Sequence, residues 1–326
     1  MKILHIAWRL LRYRVAVMLT LFMLVAAALH GGLHGAHFFR LLVACLALAA
    51  SYISATSVND LADYNIDAIN HAQSPGRPLI SGGAARRDVW IIFALSSAIS
   101  ILCAVSIGTE AALIMMVAVV INVLYSLPPA RISYRTFLAP LFLGLGYVCV
   151  PYALGAVAAS DTLRHYDIAW MAGLYLLFVG RILLKDFRDR KGDAKYGKPT
   201  FLLRFGKGAT CTASALLISA GGAVLAWQTH RLIWLTLLVL LFVVTILSML
   251  WRLYRSAPGT GEQISIGVGA KMGNGLLVTL LSAFALADGT DQQAAAVAAC
   301  LVANFFFLSF VNFWRDPSRA VLGYRG

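Results

Sequence analysis

Long apolar stretches alternate with short polar connections along almost the whole chain. An apolar stretch of about 20 residues can cross a bilayer as a helix. Stretches of roughly that length occur at residues 14–31, 37–58, 89–107, 110–127, 137–159, 166–184, 210–228, 232–251, 268–287 and 293–313. The ninth of them is interrupted by Lys271, Gly273, Asn274 and Gly275. The pattern predicts an all-α, polytopic membrane bundle of nine to ten transmembrane helices.

The composition supports a membrane protein. Hydrophobic residues make up 60% of the chain and charged residues 13%, with a mean hydropathy of +0.79. Soluble domains carry roughly 25% charged residues, so too little polar surface is present to cover a soluble fold. The cysteines all lie in apolar stretches without metal-ligand spacing, which supports neither a zinc site nor a disulfide framework. We expect one integral-membrane domain over residues 1–326.

Basic residues predict the orientation of the chain. With the N-terminus in the cytosol, all of the 27 Lys and Arg residues but Arg40, Arg164 and Arg231 fall on the cytosolic side, Arg319 and Arg325 among them. This positive-inside bias accounts for the net charge of +13 without a nucleic-acid partner. The basic, amphipathic residues 1–13 predict a cytosolic interfacial helix. Both termini are then cytoplasmic, in what we expect to be a bacterial inner membrane.

Two long cytosolic connections hold two acidic clusters with the same spacing. Residues 59–67 and 186–193 each carry carboxylates at relative positions 0, 3 and 7, a spacing that groups side chains on one helical face. The first cluster has Asp60, Asp63 and Asp67, with Asn59 on the same face. The second cluster has Asp186, Asp189 and Asp193. Together they hold six of the 14 acidic residues.

The clusters predict a shared metal–diphosphate site. Like charges one turn apart repel each other, and a divalent cation would compensate them. Oxygen ligands without Cys or His suit Mg2+, which is commonly shared with substrate phosphates. Interleaved basic residues such as Arg77 and Lys198 favour a diphosphate over a bare cation. Solvated helix ends and a cation transporter are the alternatives.

A third segment, residues 125–135, ends the fourth apolar stretch with paired prolines. Tyr125, Arg131 and Arg135 could reach the same pocket from this turn.

At these residues the chain resembles the UbiA superfamily of intramembrane prenyltransferases. Asn59-Asp60-x-x-Asp63-x-x-x-Asp67 with the ending Arg77-Pro78-Leu79-x-Ser81-Gly82 is similar to the family's first motif, and Asp189-x-x-x-Asp193 with Gly197 and Thr200 is similar to the second. The turn at 125–131 resembles that of the chlorophyll synthase and geranylgeranylglyceryl phosphate branches. Arg77 lies three residues further from Asp67 than in the chlorophyll synthase-like pattern. The segment 293–313 is additional to the family's usual nine spans.

The resemblance implies a central cavity under a cytosolic cap. It further implies two Mg2+ ions on Asn59, Asp63, Asp189 and Asp193, with Asp60, Asp67 and Asp186 as nearby ligands. Arg77, Tyr125, Arg131 and Lys198 become candidate diphosphate or cap contacts.

The expected reaction is Mg2+-dependent transfer of an isoprenoid from a polyprenyl diphosphate to a small acceptor. An aromatic, 4-hydroxybenzoate-like acceptor, as in quinone biosynthesis, would lose a proton, for which Asp67 and Asp186 are candidate bases. Tyr52, Tyr64 and Phe187 could stabilise the allylic cation by cation–π contact. A membrane terpene cyclase, transfer to a sugar or glycerol phosphate, and a cation or metabolite transporter remain as alternatives. Chain length, acceptor and oligomeric state stay open.

Overall fold

The computed structural model describes residues 2–33, 35, 37–71, 77–287 and 292–316. Within these ranges the chain forms helices and turns, without a strand. The α-helices in chain order are α1 (Lys2–Leu10), α2 (Tyr13–Leu29), α3 (His37–Ala62), α4 (Tyr64–Asn70), α5 (Arg86–Ile107), α6 (Thr109–Ser126), α7 (Leu138–Gly144), α8 (Val150–Ser160), α9 (His165–Ile182), α10 (Asp186–Lys195), α11 (Phe201–Thr229), α12 (Ile233–Arg255), α13 (Thr260–Ala287) and α14 (Gln292–Arg315). Short 3-10 turns and one π-helical turn link some of them.

The long apolar helices confirm the predicted membrane bundle. Nine stretches in the described part of the chain are long and apolar enough to cross a bilayer, and α1 with α2, which are bent by 64° from each other, would make ten. Each of the ten apolar stretches read from the sequence falls on one of these. The ninth stretch lies in α13, which continues past Lys271 and Asn274 as one helix. Arg319 and Arg325 lie outside the described residues.

The helices pack as two compact units. The first consists of Met1–Leu163 and Asp189–Arg204, and the second of Arg164–Arg188 and Phe205–Gly326. That the chain forms one functional domain stays a prediction.

In the first unit, α3 lies at the centre. It packs against α5, α6 and α8, and α2 packs against α8. The α2–α8 contact depends on Gly155, because a Cβ at this position would overlap with the carbonyl oxygen of Met23. Small residues at helix interfaces allow such close backbone approach in membrane proteins.

Helix α1 is buried on one face and exposes apolar side chains on the other. Ile6 and Leu10 form a small core with Ile92 of α5, whereas Leu4 and Trp8 are largely exposed. An exposed apolar face at the end of a span is typical of a helix that lies in the membrane interface.

In the second unit, α12, α13 and α14 pack together, and α9 packs against α11. Ser214 donates a hydrogen bond to the carbonyl of Gly180 at 2.7 Å, which joins α11 to α9. Side chains such as Leu237, Val244 and Leu301 point outward, as expected for surfaces that face lipid.

The α2–α8 contact can be tested by adding one methyl group. We expect Gly155→Ala to lower the thermal unfolding temperature in detergent by several degrees, since overpacking against backbone costs about 1–3 kcal/mol. Gly269→Ala is the matched control, because its Cβ would lie at an ordinary 3.8 Å from Met249 Cβ. Equal unfolding temperatures for the two variants would contradict the close approach.

Candidate active site

The first acidic cluster lies where α3 passes into α4. Asp63 separates the two helices, with φ −102° and ψ 17°. Its N–H still donates to Asn59 O at 2.9 Å, and the N–H of Asp67 donates to Asp63 O at 2.9 Å. The helical ladder therefore continues through a local break. Asp60, Asp63 and Asp67 are 2%, 5% and 5% exposed, so all three carboxylates are buried.

Two arginines neutralise Asp60 and Asp67. Arg77 Nη1 lies 2.7 Å from Asp60 Oδ1 and also contacts Asp67 Oδ2. Arg12, from the bend between α1 and α2, places Nη2 2.5 Å from the same oxygen of Asp60. Arg77 was a sequence-predicted site residue, whereas Arg12 was assigned only to the interfacial segment. The added residues between Asp67 and Arg77 do not prevent this contact.

The buried position of Asp67 brings its titration close to neutrality. Burial raises the pKa of its carboxyl to about 7; Arg77 acts in the opposite direction, and Asp60 and Asp63 raise it further. A carboxyl with a pKa near the working pH is suited to proton transfer.

Asp63 is surrounded by polar side chains from three parts of the chain. Lys198 Nζ lies 3.0 Å from Asp63 Oδ2, and Asn59 Nδ2 donates to the same oxygen at 3.3 Å. Arg131 Nη2 lies 3.8 Å from Oδ1. The structure thus brings three sequence-predicted residues, Asn59, Arg131 and Lys198, to one carboxylate.

Arg131 is fixed from several sides. Its backbone is left-handed, with φ 37°. Its Nη2 donates to Ala62 O at 3.3 Å, and its guanidinium lies 3.9 Å from the centroid of the Tyr134 ring. Lys198 Nζ is 5.7 Å from the same ring. Sequence reasoning missed Tyr134, although its position in the 125–135 turn was a signal.

The second acidic cluster lies on one helix, α10, as its spacing predicted. Asp189 Oδ1 lies 3.3 Å from His71 Nε2, and the N–H of Gly192 donates to Asn70 Oδ1 at 2.7 Å. Both partners directly follow the first cluster. Within the first unit, the part of α10 that begins at Asp189 is therefore a neighbour of the first cluster, through Asn70 and His71, which sequence reasoning did not assign.

Gly192 permits this neighbourhood. A Cβ here would lie 2.7 Å from both Asn70 Nδ2 and Ile66 O. Only a residue without a side chain lets the backbone of α10 approach α4 this closely.

The other sequence-predicted residues are placed as follows. Asp193 is buried on α10, and Asp186, also buried, begins α10 but packs with the second unit. Tyr125 is buried in the last turn of α6. Among the aromatic candidates, Tyr52 packs edge-on against Tyr147 and Tyr64 lies beside Arg86.

Among the described residues, two buried carboxylate oxygens have no hydrogen-bond partner. Asp60 Oδ2 and Asp63 Oδ1 are buried and accept none. Such oxygens are costly unless a partner is supplied. Over the described residues, no three His, Cys, Asp or Glu side chains converge into a group that could hold a metal ion by themselves. Carboxylate and amide oxygens are the donors that Mg2+ accepts, and Mg2+ usually takes only one or two protein carboxylates plus phosphate oxygens. The residues therefore fit an ion that arrives with a phosphate.

The profile of the UbiA prenyltransferase family matches residues 16–274, which is most of the chain. The chain belongs to the UbiA prenyltransferase family. The resemblance seen in the motifs is thereby confirmed, and α14 lies beyond the matched residues.

Two relatives of this UbiA family member have named activities. It is 30% identical over 145 residues to the bacteriochlorophyll synthase 33 kDa chain of Rhodobacter capsulatus, covering 43% of this chain and 47% of the relative. It is 27% identical over 191 residues to 2-acylphloroglucinol 4-prenyltransferase of Humulus lupulus, covering 55% of this chain and 45% of the relative. The matched stretch thus spans about half the length of each relative.

The fold is that of solved UbiA homologues. A UbiA homologue from Archaeoglobus fulgidus, solved bound to GPP and Mg2+, superimposes with a TM-score of 0.68 at 16% identity, covering 86% of this chain and 99% of that one.

The close approach of the two clusters can be tested at Gly192. If the chain transfers prenyl groups at this site, we expect Gly192→Ala to lower the transfer rate by at least about tenfold, because α10 must move away from α4 to admit the methyl group. The control is Ala194→Ser, an exposed position on the same helix. Transfer rates would be measured at matched amounts of folded protein, and wild-type activity in Gly192→Ala would show that the approach does not matter.

Proposed function

We propose that this UbiA family member is a prenyltransferase, which moves an isoprenoid from an isoprenoid diphosphate to a small acceptor at the acidic clusters. The observation that carries the proposal is the environment of Asp63. Its Oδ2 pairs with Lys198 at 3.0 Å, while its buried Oδ1 accepts no hydrogen bond. This carboxylate therefore combines an oxygen that accepts no hydrogen bond, to which a metal ion could bind, with fixed cations beside it, to which a diphosphate could bind.

Mg2+ is the cofactor we propose. Its ligands would come from a set of oxygen-bearing residues in the two clusters, namely Asn59, Asp60, Asp63, Asp67, Asp186, Asp189 and Asp193. The UbiA homologue from Archaeoglobus fulgidus bound to GPP and Mg2+ supports this choice at the level of the family. Bound Mg2+ supplies positive charge that stabilises the departing diphosphate.

The basic side chains bind and orient the diphosphate. Lys198 and Arg131 flank Asp63, and Arg77 faces Asp60 and Asp67. Tyr125, buried at the end of α6, is a further candidate contact. Charge-assisted hydrogen bonds from such groups are short and directional, and they favour ionisation when their donors are already in position.

Transfer to an aromatic acceptor would proceed in three bond changes. The C1–O bond of the isoprenoid breaks and its electron pair leaves with the diphosphate. A ring carbon of the acceptor then bonds to C1, and the ring proton passes to a carboxylate, for which Asp67 and Asp186 are the candidates. The named activity of the Humulus lupulus relative supports an aromatic, 4-hydroxybenzoate-like acceptor class. Burial of the cluster limits capture of the cation by water.

We also propose that the acidic clusters open to the cytoplasm, with both termini on that side. The distribution of Lys and Arg supports this orientation. The long apolar helices support an integral membrane location, in which an isoprenoid tail can extend among lipid chains.

Diphosphate release tests the proposed function directly. Purified protein would be given a series of isoprenoid diphosphates with Mg2+, with 4-hydroxybenzoate, an acylphloroglucinol or glycerol phosphate as acceptor. We expect release to require Mg2+ and an aromatic acceptor. Asp63→Asn and Asp189→Asn should each reduce it by at least about 100-fold, as for loss of a central electrostatic contact.

The control is Asp161→Asn. Asp161 is exposed, pairs with Arg40 and has a left-handed backbone that Asn tolerates. Release without any acceptor would indicate a terpene cyclase, and product with glycerol phosphate alone would change the acceptor class. No release with any diphosphate would contradict the enzyme and favour a transporter.

Comparing Asp67→Asn with Asp186→Asn distinguishes the candidate bases. Loss of the base should reduce the prenylated aromatic product by about 100-fold or more, whereas Mg2+-dependent binding of an unreactive isoprenoid diphosphate analogue should persist. A variant that keeps full turnover removes that carboxylate from the role.

A further inference from the structure

We propose that Arg12 is a positioning residue of the active site, which holds Asp60 and thereby keeps Arg77 available for the diphosphate. The inference rests on the proposed function, because it assigns a further residue to the same site. Arg12 belongs to neither acidic cluster and precedes the residues that the family profile matches.

Helix α1 is anchored so that Arg12 reaches the first cluster. Ile6 and Leu10 pack against Ile92, and the Thr56 hydroxyl donates to Leu10 O at 2.9 Å. Thr56 lies one helical turn before Asp60 on α3, so both face the same segment. Arg12 Nη2 then lies 2.5 Å from Asp60 Oδ1.

The backbone at Arg12 is held in an unfavourable conformation. Its φ is 42° and its ψ is 63°, at the 64° bend between α1 and α2. A left-handed backbone is unfavourable for residues with a Cβ, and glycine would form the same bend without strain. An arginine at this position indicates that its side chain has a use that compensates the strain.

That use is charge balance. Asp60 Oδ1 accepts from both Arg12 and Arg77, and Arg77 Nη1 also contacts Asp67. With Arg12 present, two guanidinium groups face two buried carboxylates. Without Arg12, Arg77 alone would face both carboxylates and would be held more tightly by them. Arg77 would then be less able to donate to a diphosphate.

Loss of Arg12 should therefore affect the binding of a cation differently from the binding of an anion. The cluster would become more negative by one charge, so a divalent cation alone would bind as well as before or more tightly. The diphosphate would bind more weakly. A merely structural role predicts something else, because misfolding of the site would weaken the binding of both ligands.

The experiment uses the full chain in nanodiscs. Mn2+ binding would be titrated by electron paramagnetic resonance, and binding of the unreactive analogue geranyl S-thiolodiphosphate would be measured with saturating Mg2+. The main variant is Arg12→Gly, which keeps the bend because glycine accepts the positive φ. We expect its Kd for the analogue to rise by roughly tenfold, the effect of losing a charged hydrogen bond. Binding of Mn2+ should not become weaker.

Two comparisons test whether Arg12 acts through Asp60. In an Asp60→Asn background, Arg12→Gly should change the Kd of the analogue by less than about twofold, the non-additivity expected of residues that act through one contact. Arg12→Lys should restore most of the affinity because it keeps the charge. Arg14→Gln removes one exposed charge two residues away and should bind the analogue like wild type.

Each outcome separates this inference from the proposed function. Wild-type affinity for the analogue in Arg12→Gly would overturn only the role of Arg12 and would leave the proposed function intact. Equal weakening of Mn2+ binding and analogue binding would do the same. If the wild-type chain binds neither Mn2+ nor the analogue, the proposed function fails and this inference fails with it.

Discussion

Burial of three carboxylates at the end of α3 is the constraint on which the acidic end of the first unit depends. An ionised carboxylate is costly to bury unless a cation accompanies it. Here the cations come from distant segments: Arg12 from the N-terminal bend, Arg77 from the connection after α4, and Lys198 from the connection after α10. Satisfying the charges therefore fixes three otherwise separate segments against one helix end.

Local patterns made the fold and the motifs predictable, but not the contacts between them. Apolar runs of membrane-spanning length located all ten segments, and the 0, 3, 7 spacing placed the second cluster on the single helix α10. Asp60 is 48 residues from Arg12, to which it is hydrogen-bonded, and the hydrogen bond of Gly192 joins positions 122 residues apart. Neither separation has a local signature, and the break at Asp63 has none either, since helical spacing continues through it.

The ion pair between Asp63 and Lys198 also indicates how the charges would stay balanced when a substrate binds. Asp63 is paired with Lys198, so its charge is balanced before anything binds. On the proposed function, a metal would take the carboxylate and the diphosphate would take the lysine, with little change in total charge. Such an exchange of partners avoids leaving any buried ion uncompensated, which is the costly state.

The same balance argues against a transporter of bare cations. A divalent cation that entered alone would meet Lys198 within 3.0 Å of Asp63 Oδ2, and Arg131 within 3.8 Å of Oδ1. Both would weaken its binding unless an anion came with it to occupy them. Transporter carboxylates usually lie near the bilayer midplane, whereas Asp60 and Asp63 lie at the end of α3. Fixed cations beside buried carboxylates therefore select for a metal and an anion together, as an isoprenoid diphosphate with Mg2+ would provide.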